Sequence, residues 1–287
     1  MKYAFIQKHH TDHKVSRLID VLGVSASGFY AWRNRPESDR ARTNQALLTK
    51  ISVFHQASRR IYGSPRIHSD LIEHGMKVSV NRVARLMREN DIQSKMPKKW
   101  VITTDSKNTE GPSPNHLQRN FKTSEPNTAW VSDTTFISTR QGWMYLAVMI
   151  DLYSRAVVGW SMGKNNNAQL VEDALTMALW RRGQKDGIIV HSDQGSTYAS
   201  NSYQQLLKDH NLVCSMSRKG ECLDNAVAES FFGTLKTEWV DDQDYHTYDQ
   251  AKQDLFEYIE VFYNRQRRHS YVGYLSPMEY ERQNVSQ

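Results

Sequence analysis

Three acidic residues occupy positions where carboxylates are unusual or paired with other functional groups. Asp133 lies inside the strand-like run 128–138, and Asp193 directly follows the apolar run 187–191. Acidic side chains are depleted in strands and costly to bury. Glu229 lies further along, on a strongly patterned helix. Carboxylate oxygens from neighbouring elements are typical ligands of a hard divalent cation, so we predict a site for Mg²⁺, with Mn²⁺ as the alternative ion.

The chemistry of such a site is phosphoryl transfer. Two ions about 3.5–4 Å apart can activate a nucleophile and stabilise the leaving oxygen of an in-line displacement. Three carboxylates near one point would raise one another's pKa unless a cation neutralised them. Taken singly, Asp133 can be a hydrogen-bonded strand residue, Asp193 a turn residue and Glu229 a surface acid. The combination favours the cation site.

The helix that carries Glu229, residues 222–240, has two distinct faces at about 100° per residue. Its apolar stripe consists of Val227, Phe231, Leu235 and Trp239. Its polar cluster consists of Asn225, Glu229 and Lys236. The cluster indicates a surface that holds a cation and an anionic ligand, although an ordinary solvated helix remains the alternative.

The elements that position these acids follow a recognisable order. Three strand-like runs with short links must pair antiparallel. Trp143 and Trp160 lie within these runs and are expected to be core residues rather than base-stacking platforms. Helix, strand, helix, strand and two helices then follow. The predicted strands are 128–138, 142–151, 155–162, 187–191 and 212–215, and the helices are 167–182, 200–210, 222–240 and 248–264. This order predicts an α/β fold, an RNase H-like mixed five-stranded sheet flanked by helices.

Charge divides the chain of 287 residues. Residues 1–126 contain 22 Lys and Arg against 11 Asp and Glu, whereas residues 127–287 contain 15 against 20. We predict a helical basic region at 1–92, a basic linker at 93–126 and a catalytic core with a helical extension at 127–287. A basic region favours phosphate backbones, although asymmetry of charge can also serve solubility alone.

Helical periodicity in the basic region predicts two helix-turn-helix-like units, at residues 14–35 and 59–90. The predicted DNA-binding cations of the second unit are Arg59, Arg60, Arg66, Arg82, Arg85 and Arg88. A plain helical hairpin and a merely solvated cationic face are the alternatives.

Targeting signals are not evident in the chain. No apolar run approaches the 18 or more residues of a membrane span, and the N-terminus lacks the apolar segment of a signal peptide. Two cysteines are too few for a disulfide framework. We therefore expect a cytoplasmic, nucleoid-associated protein.

Four motifs resemble a known family. They are WVSDTTFI around Asp133, HSDQGSTYAS around Asp193, SMSRKGECLDNAVAESFFGTLKTE around Glu229, and YNRQRRHSYVGYLSPMEY near the end. Asp193 and Glu229 are separated by 35 residues, and Lys236 follows Glu229 by seven. Over essentially the whole chain, the sequence resembles the second-reading-frame transposases of bacterial insertion sequences of the family numbered three. These carry the DDE integrase core of the retroviral integrase superfamily.

The resemblance implies roles for the matching positions. Asp133, Asp193 and Glu229 would form the metal-binding catalytic triad, and Lys236 would contact DNA near the scissile phosphate. His191, Gly195, Tyr198, Asp224 and Asn225 would surround the active site. Asn264, Arg267 and His269 would match a C-terminal signature, with Arg267 and His269 as DNA contacts. Gln194, Thr197 and Val272 depart from the family pattern, and the first two flank Asp193.

The implied reaction is metal-dependent cleavage at the element's ends followed by strand transfer. DNA, as terminal inverted repeats and target, would be the partner of at least a homodimer, and the upstream reading-frame product is a further candidate partner. Two other hypotheses stay open at this point. One is a catalytically silent DNA-binding regulator of the full-length transposase, and the other is a nuclease of RNA–DNA hybrids.

Overall fold

A computed structural model describes residues 1–96, 113–218 and 221–285, so part of the predicted linker, residues 97–112, lies outside the described residues. The chain divides into two compact units, Met1–Gln93 and Ser94–Gln287. Among the described residues, no helix combines the length and the apolar character needed to cross a lipid bilayer.

The first unit is helical throughout. Its helices are α1 (Lys2–His9), α2 (Val15–Leu22), α3 (Ala26–Arg33), α4 (Asp39–Ala57), α5 (Ser64–Glu73) and α6 (Val80–Glu89). Ser25, Ser38 and Ser79 cap α3, α4 and α6 by accepting a main-chain N–H bond. Both predicted helical pairs, α2 with α3 and α5 with α6, are present, and α1 is an addition that periodicity did not predict.

The second unit contains the predicted mixed sheet, which is confirmed. Its strands are β1 (Ala129–Thr139), β2 (Gly142–Asp151), β3 (Val157–Gly163), β4 (Ile189–Ser192) and β5 (Val213–Met216), in the spatial order β3-β2-β1-β4-β5. β1, β2 and β3 pair antiparallel, whereas β4 and β5 run parallel to β1. The sheet therefore places the carboxyl ends of β1, β4 and β5 at one edge.

Helix α7 (Ala168–Arg182) covers one face of the sheet. Its buried side chains, including Val171 and Leu175, pack with Ala147 and Met149 of β2 in the main core. β3 approaches this helix through Gly159, where an added Cβ would lie 2.2 Å from the carbonyl oxygen of Ala174. The close contact anchors the sheet that positions the acids.

The remaining helices follow the sheet strands in sequence. They are α8 (Asn201–Asp209), α9 (Ala226–Leu235), α10 (Tyr248–Phe256) and α11 (Pro277–Val285). Both α9 and α10 continue into π-helical turns, Lys236–Val240 and Glu257–Tyr263. Phe231, Leu235 and Trp239 are buried as the apolar stripe predicts, while Val227 is only partly buried.

The expectation that Trp143 is a core residue is wrong. Its side chain is 53% exposed near the turn that joins β1 to β2. Helix α7 covers the same face further along β2, at Ala147 and Met149, but the strand extends beyond that region. Trp160 is partly buried and donates its indole N–H to Glu260 at 2.6 Å.

Candidate active site

Asp133 within β1 and Asp193 just after β4 occupy equivalent positions relative to the pairing of these two adjacent parallel strands. β1 and β4 pair from Ala129↔Ile189 to Val131↔His191. Each acid lies two residues beyond the last of these pairs. Both carboxylates therefore project from the edge where the two strands separate, as in many α/β sites.

The electrostatics of this edge show that the carboxylates interact. Burial, together with the charges of Asp193 and Glu229, raises the pKa of Asp133 to about 8. The main-chain N–H of Thr134, 2.7 Å from Asp133 Oδ1, partly offsets that increase in the pKa. Like charges held close together in a poorly hydrated site disfavour ionisation, and a bound cation would relieve that cost.

Asp193 is held by the turn that follows it. Its Oδ1 accepts the main-chain N–H of Gly195 at 3.0 Å, a bond that lowers the pKa of the carboxyl. The residue as a whole is exposed, but the protein atoms around the carboxyl exclude water and raise its pKa above the usual value. A Cβ at position 195 would lie 2.9 Å from Asp193 Oδ1, which explains why glycine stands there.

Glu229 enters the site from α9, which packs against β1. The helix is attached at its start by Asn225, whose side-chain N–H donates to the carbonyl oxygen of Ser132 at 3.2 Å. Ser132 directly precedes Asp133, so Asn225 links the helix of one acid to the strand of another. Glu229 is exposed, one turn beyond this link, and partial burial raises its pKa.

The donor set fits a hard divalent cation, since Asp133, Asp193 and Glu229 offer only carboxylate oxygens. Across residues 1–96, 113–218 and 221–285, however, no group of three or more His, Cys, Asp or Glu side chains is placed to hold a metal ion. The charges of Asp193 and Glu229 both act on Asp133, so the three carboxylates face a common region.

Lys236 adds a cation beside the acids. Its Nζ lies 4.8 Å from the centre of the Phe136 ring, the distance of a cation–π contact. Burial lowers the pKa of Lys236, and the charges of Asp241 and Asp133 raise it. The ammonium of Lys236 is therefore close enough to Asp133 for their charges to interact.

His191 and Tyr198 support the strands and are buried. The His191 ring lies between two hydroxyls, with Nδ1 2.8 Å from Ser215 Oγ and Nε2 3.2 Å from Ser217 Oγ. Burial lowers the pKa of His191, which favours the neutral ring. Tyr198 shares a 2.9 Å hydrogen bond with the Ser132 hydroxyl. Both residues join elements next to Asp133 and Asp193.

A carboxylate that the family resemblance placed around the active site organises the loop before α9. Asp224 is fully buried and accepts three hydrogen bonds from Arg218. Arg119 and Asn115, from the segment that precedes the core, donate two more at 2.6 and 2.9 Å. The Arg218 contacts, more than any other, hold the pKa of Asp224 below its usual range.

Comparison with known proteins gives full-length relatives. The chain is 41% identical to "Transposase InsF for insertion sequence IS3A" of Escherichia coli (strain K12), over 100% of both chains. It is also 41% identical to an "Insertion element IS600 uncharacterized 31 kDa protein" of Shigella sonnei, over 91% of this chain and 96% of the relative. The chain belongs to the IS3 family of insertion-sequence transposases.

Three domain families match parts of this IS3-family chain. Residues 123–222 and 229–285 match two families described as "Integrase core domain", and residues 42–100 match an "HTH-like domain". In a solved simian T-cell lymphotropic virus intasome, one chain is similar at 14% sequence identity and a TM-score of 0.46. The match covers 80% of this chain and 73% of the intasome chain. A magnesium complex of the HTLV-2 integrase catalytic core is similar at 17% sequence identity and a TM-score of 0.41. That match covers 54% of this chain and 95% of the HTLV-2 chain.

The C-terminal signature of the family forms internal contacts. Asn264 makes two 2.9 Å hydrogen bonds with the main chain of Val157 in β3. Arg267 is buried and forms a bidentate ion pair with Glu238 at 2.6 and 2.7 Å. His269 is partly buried, and its Nδ1 accepts the main-chain N–H of Tyr271. Arg267, predicted as a DNA contact, therefore has its guanidinium bound to a protein carboxylate here.

The six arginines predicted to bind DNA from the basic region lie in the first unit. Arg59 and Arg60 are exposed in the turn after α4, with φ of 54° and 63°. Arg66 lies over the Tyr62 ring, and Arg88 is exposed at the end of α6. Arg82 donates to Asn44, and Arg85 pairs with Glu89. Arg66, Arg82, Arg85 and Arg88 lie on helices, as the sequence predicted, and the DNA contacts of all six arginines stay a prediction.

Proposed function

We propose that this chain cleaves DNA at the ends of its insertion sequence and transfers the released strand, with Asp133, Asp193 and Glu229 as the acidic triad. The observation that carries the proposal is the matched position of Asp133 and Asp193 beyond the last β1–β4 pair. Membership of the IS3 family supports the same reaction, because transposition requires phosphodiester bonds to be cut and rejoined.

The triad would hold Mg²⁺, or Mn²⁺ in its place, with two ions in the complete site. A bound divalent cation supplies activation of the attacking oxygen and neutralisation of charge at the scissile phosphate. Asp193 is oriented for this task by the N–H of Gly195. Asn225 keeps the start of α9 on β1, beside the strand of Asp133, and so would help to position Glu229.

Each of the two steps breaks one phosphodiester bond, and only the second step forms a new one. In cleavage, water attacks phosphorus, the bond to the 3′ oxygen breaks, and a 3′-hydroxyl and a 5′-phosphate result. In transfer, that hydroxyl attacks a second phosphodiester, whose own 3′ oxygen leaves. No covalent bond to the protein forms. Lys236, within reach of Asp133, is suited to bind a phosphate oxygen next to the reacting one.

The partners follow from the reaction. The basic first unit would bind the terminal inverted repeats through phosphate contacts of Arg59, Arg60, Arg66, Arg82, Arg85 and Arg88. Two ends must be joined, so we expect at least a homodimer on DNA. The product of the upstream reading frame is a further expected partner.

The test is nicking of linear DNA that carries both ends of the element, with Mg²⁺ and with the upstream product present. Asp193→Asn keeps the size of the side chain and removes its charge, and Asp173→Asn, on the exposed side of α7, is the matched control. We expect Asp193→Asn to lower nicking by more than about a hundred-fold while DNA binding persists. The control should behave as wild type.

Three results would contradict the proposal. Nicking by Asp193→Asn at the wild-type rate would remove Asp193 from the mechanism. Binding of the ends by a wild-type protein that never nicks would instead favour the silent regulator. Cleavage confined to the RNA strand of an RNA–DNA hybrid would identify a hybrid nuclease.

A further inference from the structure

Two large aromatic side chains are exposed on the hairpin of β1 and β2. Phe136 is 41% exposed and Trp143 is 53% exposed. Their ring centres are 4.9 Å apart and their planes meet at 81°, an edge-to-face arrangement. Such a pair holds its rings in a defined orientation. Exposed aromatic surface of this kind commonly marks an interaction site.

The sheet explains why the pair is exposed. Phe136 pairs with Tyr145, and Trp143 pairs with Ser138, so the two aromatic side chains project from the same face. Helix α7 covers that face further along the sheet, over Ala147 and Met149. The pairing of β1 with β4 ends at Val131, well before Phe136. The two rings therefore form a platform at the end of the hairpin.

Lys236 links the platform to Asp133, because its ammonium interacts with both. Lys236 Nζ lies 4.8 Å from the centre of the Phe136 ring, and its ammonium also interacts with Asp133. Phe136 follows Asp133 by three residues on the same strand. Side chains three positions apart on a strand point to opposite faces, so Lys236 links the aromatic pair on one face of β1 to the carboxylate of Asp133 on the other.

We propose that the Phe136–Trp143 platform stacks an unpaired DNA base next to the scissile phosphate. This inference rests on the proposed function, because it assigns a position beside the same reacting bond. Single-stranded nucleic acid is bound by cations that follow the backbone and aromatic rings that stack on bases. Lys236 provides a cation for the backbone, and the platform provides aromatic rings for a base. Bases within a duplex have both faces covered, so the base must leave its pair.

Fluorescence of 2-aminopurine tests the platform in the full-length protein. The adenine analogue is placed in a short unpaired extension at the end of a duplex, and a fully paired duplex of the same sequence serves as the comparison. Binding is measured in a chelator, so that cleavage plays no part. Stacking on the platform should quench the fluorescence of the unpaired base.

Four variants give the experiment its contrasts. Trp143→Leu and Phe136→Leu keep apolar bulk and remove an aromatic ring, whereas Trp143→Phe restores a ring. Trp180→Leu removes a tryptophan that is 84% exposed on α7 and is the matched control. We expect Trp143→Leu to weaken binding of the extended duplex about ten-fold, with little change for the paired duplex. Trp143→Phe and Trp180→Leu should remain within about three-fold of wild type.

Equal affinities of wild type and Trp143→Leu for the extended duplex would overturn the platform, as would an equal loss for both duplexes. A protein-binding role would appear as unchanged DNA binding in both leucine variants, which also overturns it. Nicking without preference for the unpaired base would reject only the platform. Preference for the unpaired base in a protein that never nicks would reject only the proposed function.

Discussion

Carboxylates in the second unit are held in two opposite ways. Glu238 is buried with the guanidinium of Arg267 in a bidentate pair, and Asp224 accepts bonds from Arg218 and Arg119. Among the described residues, the hydrogen bonds to the carboxylates of Asp133 and Asp193 come from main-chain N–H groups.

The pKa values reflect this difference. The arginine contacts lower the pKa of Asp224, whereas burial and neighbouring acids raise the pKa of Asp133 to about 8. A carboxylate matched by an internal cation stabilises the fold. A carboxylate placed beside others of the same charge reduces stability and retains affinity for a cation from outside. The comparison separates acids paired with an internal cation from the acids proposed to be catalytic.

Breaking the matched pair should have the largest effect on stability. Glu238→Gln leaves the buried guanidinium of Arg267 without its counter-charge, which costs about 3–5 kcal/mol of the free energy of unfolding. Urea unfolding measures the change. Asp244→Asn removes an exposed partner of Arg140 and should alter stability by less than about 1 kcal/mol. An equal effect of both substitutions would refute the distinction between buried and exposed pairs.

Removing the charge of Asp133, which forms no ion pair within the part of the chain that the structure describes, should instead increase the stability of the fold. Because the folded-state pKa of Asp133 is raised to about 8, the ionised carboxylate costs stability once the pH rises above its unfolded value. Asp133→Asn should therefore raise the free energy of unfolding by more than about 1 kcal/mol at pH 8 in a chelator, because each unit of the raised pKa is worth about 1.4 kcal/mol. The gain should shrink towards pH 4, where the wild-type carboxyl is protonated. A loss of stability at pH 8 would contradict this account.

Asn225 tests whether the link between α9 and β1 positions Glu229. Asn225→Ala removes the bond to the Ser132 carbonyl and should cost about 1 kcal/mol of stability. Its effect on nicking should be greater, about ten-fold, and the Mg²⁺ concentration for half-maximal rate should rise. Asn201→Ala, at the exposed start of α8, is the control. An unchanged Mg²⁺ requirement would leave Asn225 with a purely structural role.

His191 should produce the smallest effect, visible only in acid. Its pKa is lowered by burial, so its neutral form contributes stability that is present above the unfolded pKa of about 6.5 and lost as the pH falls. Relative to His191→Asn, the wild type should lose up to about 1.4 kcal/mol per pH unit below that value. Parallel stability profiles of the two proteins between pH 7 and 5 would show that the imidazole does not titrate on unfolding.

The sequence predicted the elements and the acids well, because both depend on local pattern. The alternation of apolar runs identified all five strands, and an acid within or just after a strand is conspicuous in one dimension. The register that places Asp133 level with Asp193 is a property of the folded sheet. The spacing of residues along the chain does not predict this register.

Contacts between residues far apart in the sequence explain where the structure differs from the sequence predictions. Arg267 reads as an exposed cation in a family signature, yet its partner Glu238 stands 29 positions earlier in a π-helical turn. Arg119 belongs to a segment predicted as a linker, but donates to Asp224, 105 positions away. Trp143 reads as a core residue because β2 is apolar throughout. Its exposure follows from how far α7 extends over the sheet.

Binding of a divalent cation tests the central claim most directly. Mn²⁺ titrated into the metal-free protein at pH 8 can be followed by calorimetry, with Asp193→Asn and the control Asp173→Asn measured alongside. We predict saturable binding to the wild type and to the control, with proton release as Asp133 ionises, and loss of that binding in Asp193→Asn. Equal binding by Asp193→Asn and wild type would contradict the assignment of the catalytic edge as the cation site.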